Sequence, residues 1–144
     1  MANYKIISSD DHVYEPPDLW TSRIDSKYRD RAPIIVRQED GSDWWICEDQ
    51  LTMTMTSGSE TGLRLEKPET LSLRDVFENV RPGGYIPEEH VKDMESDGID
   101  SSILYPTAGQ ALFRTVPDSR LLSAVFGTYN EWISEFCKPF PGRL

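Results

Sequence analysis

The chain has 144 residues, a formal net charge of -10 and two cysteines, enough for one domain with a modest core. That acidic balance excludes a nucleic-acid or anionic-membrane partner, which would be repelled. No apolar run approaches the roughly 20 residues that span a bilayer, the first residues show no basic segment followed by an apolar one, and Cys47 and Cys137 lack metal or redox spacing, so a cytoplasmic protein with reduced thiols is the expectation.

In chain order, the apolar run Tyr4-Lys5-Ile6-Ile7 leads into Asp10-Asp11-His12, which reads as a β-strand ending in Asp-x-His. Side chains two apart on an extended chain share a face. Asp10 and His12 can therefore converge on one divalent ion, and an oxygen plus a nitrogen donor suit zinc. Taken alone, the spacing serves equally well for a turn-capping aspartate beside a locally bonded histidine.

Pro16 and Pro17 rule out a continuing strand or a helix interior, and Asp18 is placed to cap a short helix over residues 19–24. A hairpin is expected over residues 34–47, turning at Glu39-Asp40-Gly41-Ser42. Residues 53–66 are rich in Thr, Ser and Gly without periodicity and read as a loop. A helical pattern covers residues 71–80, and a second begins at Pro87 with acids in its first turn, stopping near Asp97-Gly98. His90 falls in that helix, where a surface or helix-face position is expected. Residues 101–105 form a second short strand ended by Pro106. Asp118 caps a long amphipathic helix carrying Leu122, Val125, Phe126, Tyr129, Trp132, Ile133 and Phe136 on one face. Trp44, Trp45 and Trp132 are read as packing residues. Strand, insertion, helix, strand and helix in that order describe an α/β protein with parallel strands. Two strands are too few for a covered parallel sheet, so the chain looks truncated and liable to associate, as a homo-oligomer or a self-associating fragment.

Four segments together resemble the start of the amidohydrolase-related family that includes aminocarboxymuconate-semialdehyde decarboxylase. They are Ile7-Ser8-Ser9-Asp10-Asp11-His12-Val13-Tyr14-Glu15-Pro16-Pro17-Asp18-Leu19-Trp20, Tyr28-Arg29-Asp30-Arg31-Ala32-Pro33, Gly98-Ile99-Asp100-Ser101-Ser102-Ile103-Leu104-Tyr105-Pro106-Thr107, and Tyr129-Asn130-Glu131-Trp132 leading to Arg143-Leu144. The resemblance implies a partial (β/α)8 barrel: the first two β/α units with an insertion at about residues 21–86. It implies a metal-dependent hydrolase or decarboxylase acting on a small, carboxylate-bearing organic substrate. Asp10 and His12 would be metal ligands, zinc the expected metal, and further ligands would come from later strands. Glu15 is read either as an orienting or substrate-contacting carboxylate or as a cap. Tyr105 and Thr107, at the mouth of the second strand, are candidate pocket residues. The alternative from another class is a non-catalytic fragment with a binding or assembly role.

Overall fold

The computed structural model describes residues 4–61, 68–72 and 74–144. Two strands, β1 (Ile7–His12) and β5 (Ser101–Tyr105), pair in parallel. Between them lies a three-stranded antiparallel sheet, β2 (Ile34–Arg37), β3 (Asp43–Cys47) and β4 (Gln50–Thr54), in the order β2-β3-β4. The helices are α1 (Leu19–Arg23), the single turn α2 (Thr56–Ser59), α3 (Pro87–Asp97), α4 (Ala108–Thr115) and α5 (Ser119–Cys137), with a 3-10 segment at Ser26–Arg31. The molecule is thus a mixed α/β protein whose parallel strands are linked through helix α3.

The β1–β5 ladder runs Ile7 to Ser101 and Ser8 to Ser102, then resumes at Asp11 to Leu104 and His12 to Tyr105. Three steps on β1 match two on β5, so β1 carries one extra residue at Ser9-Asp10. Such a bulge bends a strand and re-aims its side chains. The ladder extends through Val13, whose amide donates to the Tyr105 carbonyl at 3.1 Å. On the other edge of β5, the Ser102 amide donates to the Arg143 carbonyl at 2.8 Å.

The core lies between α5 and the antiparallel unit. Trp20 and Trp45 are both fully buried and meet edge to face at 5.0 Å, and Trp20 Nε1 donates to the Val125 carbonyl at 3.0 Å. Burying a tryptophan removes about 200 Å² from water, about 5 kcal/mol of hydrophobic stabilisation each. Along α5 the buried residues are Leu121, Val125, Thr128, Tyr129, Trp132 and Phe136. The expected apolar face is therefore rotated slightly: Leu122, Phe126 and Ile133 stand at its half-buried flanks. Asp118 caps this helix as expected, accepting from the amides of Arg120 and Leu121. Gly98 ends α3 with a φ of +72°, a left-handed conformation that glycine adopts without strain.

Three expectations need correction. Residues 53–66 are not all loop: Met53 and Thr54 belong to β4, and α2 follows, while residues 62–66 lie outside the described residues. The third strand is not signalled in the sequence because the β3–β4 turn is Glu48-Asp49, two non-glycine residues with φ of +50° and +61°, without the Asn-Gly or Asp-Gly signal such turns usually carry. The helix expected over residues 71–80 is only a 3-10 turn at Phe77–Asn79; Leu73 lies outside the described residues. Asp43 explains the difference. Its amide donates to the Asp75 carbonyl and its carboxylate accepts from the Phe77 amide, each at 2.8–2.9 Å, so the segment's backbone is bonded sideways to β3. Helix α4 was not anticipated, because its eight residues follow a proline and carry little charge.

Candidate functional site

The end of β1 sends its side chains to two faces. Asp10 and His12 go one way: His12 Nε2 lies 3.7 Å from Asp10 Oδ1, with both side chains open to solvent. Asp11 goes the other way, toward Ser102 and His90. Asp10 and His12, two apart on the strand, thus stand side by side.

Zinc bonds nitrogen and carboxylate oxygen at about 2.0–2.2 Å, so two tetrahedral ligand atoms stand about 3.4 Å apart. The 3.7 Å separation of the two donors is within about 0.3 Å of that spacing, and the oxygen–nitrogen set suits such an ion. Among the described residues there is no group of three or more His, Cys, Asp and Glu side chains that could hold a metal. The pair fits half of a first coordination sphere.

His12 is also held from behind. Thr107 Oγ1 lies 3.3 Å from His12 Nδ1 and donates to the Val13 carbonyl at 2.7 Å. Tyr105 is half-exposed beside it, its ring centroid 6.1 Å from the imidazole. Glu15 is completely buried, and its two carboxylate oxygens accept from the Ala108 and Gly109 amides at 2.8 Å each. Of its two readings, the geometry here is that of a cap on the first turn of α4. Burial pushes the Glu15 carboxyl above its ordinary range, and the two amides partly oppose that shift.

A cavity of about 440 Å³ opens beside His12, bounded by Met53 and by Thr107, Gln110, Ala111 and Arg114. The last four are spaced i, i+3, i+4 and i+7, which on a helix places them on one face. Arg114 has no carboxylate within ion-pairing distance among the described residues, whereas Arg23, Arg31, Arg37 and Arg81 are each paired. Arg114 belongs to no sequence motif; only helix α4 supplies the periodicity that places it.

His90 is the larger surprise. It is not a surface residue but 6 % exposed, carried on α3 and packed against β1 and α5. Its Nδ1 donates to the Gly83 carbonyl at 2.9 Å, its Nε2 lies 3.4 Å from Asp11 Oδ2, and its ring stands edge-on to Phe136 at 5.9 Å. Asp11 also accepts from the Ser102 hydroxyl and the His12 amide, both at 2.9 Å. Desolvation lowers the His90 pKa, but Asp11 and Gly83 outweigh it and the net shift is upward. The neighbouring His90 imidazole, ahead of burial in the other direction, holds Asp11 below the usual carboxylate range. This pair borders a second cavity of about 640 Å³, which His12 and Thr107 also line.

No described helix is long and apolar enough to cross a membrane. No protein-family model matches the chain, and no curated protein does. Among solved structures the chain is similar to an amidohydrolase from Mycobacterium avium subsp. paratuberculosis, with a TM-score of 0.67 and 20% sequence identity. The match covers 99% of this chain and 41% of that one. The chain thus has an amidohydrolase-like α/β fold and spans less than half the length of that neighbour.

Proposed function

We propose that this chain forms the opening part of a (β/α)8 barrel and contributes the first-strand metal ligands of a metal-dependent hydrolase or decarboxylase acting on a small carboxylate-bearing molecule. The observation that carries this reading is the 3.7 Å approach of Asp10 Oδ1 and His12 Nε2 at the C-terminal end of a parallel strand, the end where barrel active sites sit. The bulge in β1 supports it, because bulges commonly re-aim side chains beside active sites. The Ser102–Arg143 bond on the outer edge of β5 supports the barrel, since a third strand would join there.

Asp10 and His12 would hold the ion, and water, substrate or donors from outside the described residues would complete its three or four positions. When bound, a divalent ion supplies Lewis acidity and an activated water, or polarises a carboxylate and its neighbouring oxygen. The chain's own residues do the rest. Met53 and Ala111 give the cavity an apolar wall that covers the body of a substrate and keeps water from it. Arg114 presents a planar guanidinium suited to bidentate binding of a carboxylate. From Thr107 to Arg114 the helix rises about 10 Å, and long side chains lean toward a helix's N-terminus. A substrate bridging the two ends is therefore a compact one.

The test is an NMR titration of the chain with benzoate as carboxylate probe, with and without zinc. The reading predicts shifts at Gln110, Ala111 and Arg114 that strengthen with zinc and disappear in Arg114→Gln. Shifts confined to other surfaces, or unchanged by Arg114→Gln, would overturn the substrate assignment.

A further inference from the structure

We propose that Glu15 is a positioning residue for His12, acting through the first turn of α4 and the Thr107 hydroxyl. The inference rests on the reading of His12 as a ligand, but it makes a claim about the protein without metal.

The path is short and each link is a contact. Glu15 is fully buried, and its carboxylate takes the Ala108 and Gly109 amides, which helix formation would leave unbonded. Negative charge at this end of the helix also suits its dipole. The fit is close: a Cβ added to Gly109 would lie 3.3 Å from Glu15 Oε1 and 3.0 Å from the Pro106 Cβ. Fixing Ala108 and Gly109 fixes the preceding residue, Thr107. Its single hydroxyl proton goes to the Val13 carbonyl at 2.7 Å, so toward His12 Nδ1 at 3.3 Å the oxygen can only accept. That requires a proton on Nδ1. A neutral His12 then keeps its lone pair on Nε2, the nitrogen facing Asp10. Metal-binding histidines are commonly oriented this way, by a bond from the ring nitrogen that does not bind the ion.

The sequence compresses this device into two places. Glu15 lies three residues beyond His12, and Thr107-Ala108-Gly109 lies two residues beyond the end of β5. Parallel pairing of β1 with β5 brings the two together. A glutamine at 15 would keep the size but replace one acceptor by an amide that cannot accept, setting a donor against a donor. The first turn of α4 would loosen, and Thr107 with it.

The experiment records long-range nitrogen–proton NMR spectra of the imidazoles in the metal-free chain, about two pH units above the ordinary histidine pKa of about 6.5. The wild type, Glu15→Gln, Thr107→Val and Thr107→Ser are compared. Expected are a predominant Nδ1–H form of His12 in the wild type and Thr107→Ser, and a clear shift toward Nε2–H in Thr107→Val and Glu15→Gln. The His90 signals should stay in place in all four. An Nε2–H form in the wild type, or an unchanged Nδ1–H form in either Glu15→Gln or Thr107→Val, would overturn the proposal. Should Glu15→Gln fail to fold, Gly109→Ala takes its place, since its methyl group presses on the same carboxylate; an unchanged Nδ1–H form there would likewise overturn it. A zinc titration of the same samples separates the two claims. A tautomer that responds as expected without any zinc binding at His12 would leave Glu15's role intact and remove the metal reading.

Discussion

Replacing His90 by phenylalanine isolates the buried pair that ties α3 to β1. Phenylalanine keeps a ring edge-on to Phe136 but cannot bond Gly83 or Asp11. The Gly83 residue is buried, and leaving its carbonyl without a partner costs about 1–3 kcal/mol. At 3.4 Å a pair of unit charges attracts with about 5 kcal/mol at an effective dielectric of about 20. Desolvation offsets most of that, and about 1–2 kcal/mol remains for a pair whose aspartate keeps some water. The expected total is about 2–5 kcal/mol, and its charged share depends on pH in a definite direction. The folded pKa of His90 is raised, so its contribution is complete below the ordinary value near 6.5 and is lost as pH rises through the folded value. The Asp11 pKa is lowered, so its contribution is present above 3.8 and is lost as pH falls through the folded value. Urea unfolding at several pH values should therefore show the largest wild-type advantage between these limits, shrinking by about 1–2 kcal/mol as pH rises through the folded His90 value. A difference that is flat with pH, or grows as pH rises, would refute the ion pair.

Other outcomes follow from particular contacts. Asp118→Ala should lower the urea midpoint by removing the α5 cap and the Arg31 partner, and Asp118→Asn should recover the capping part alone. Ile7, Ile103 and Phe113 are 62%, 51% and 66% exposed around a two-stranded sheet. Light scattering should accordingly show concentration-dependent association that Ile7→Lys with Ile103→Lys reduces; an unchanged compact monomer throughout would contradict this. Because Asp10 and His12 are two donors without a third among the described residues, the 144-residue chain alone should release no product from carboxylate substrates in the presence of zinc. Metal-dependent turnover by the chain would contradict that expectation.

What the sequence disclosed is what short-range rules govern. The Asp118 cap and the Gly98 stop are each set by a few adjacent residues, whereas the extra residue at Ser9-Asp10 in β1 shows only in its register with β5. What it hid depends on partners far along the chain. Asp43 pulls residues 75–77 out of a helical pattern through bonds across more than thirty residues. His90 looked like a helix-face residue because Gly83, Asp11 and Phe136 converge on it only after folding. Glu15 was legible as a carboxylate near a strand end, but its partners, the Ala108 and Gly109 amides, lie 93 and 94 residues away. Arg114 is hidden for a simpler reason: the eight residues of α4 carry no clear helix signal, and without the helix there is no face shared with Thr107.

Whether Asp10 and His12 hold one metal ion is decided by zinc titration followed at the His12 ring nitrogens. Weak, saturable binding is expected that moves Nε2 and spares Nδ1, and that disappears in both Asp10→Ala and His12→Ala. Two protein donors give low affinity, so the ion should be lost on dialysis. Zinc that leaves the His12 nitrogens unmoved, or that binds equally well to His12→Ala, would contradict it.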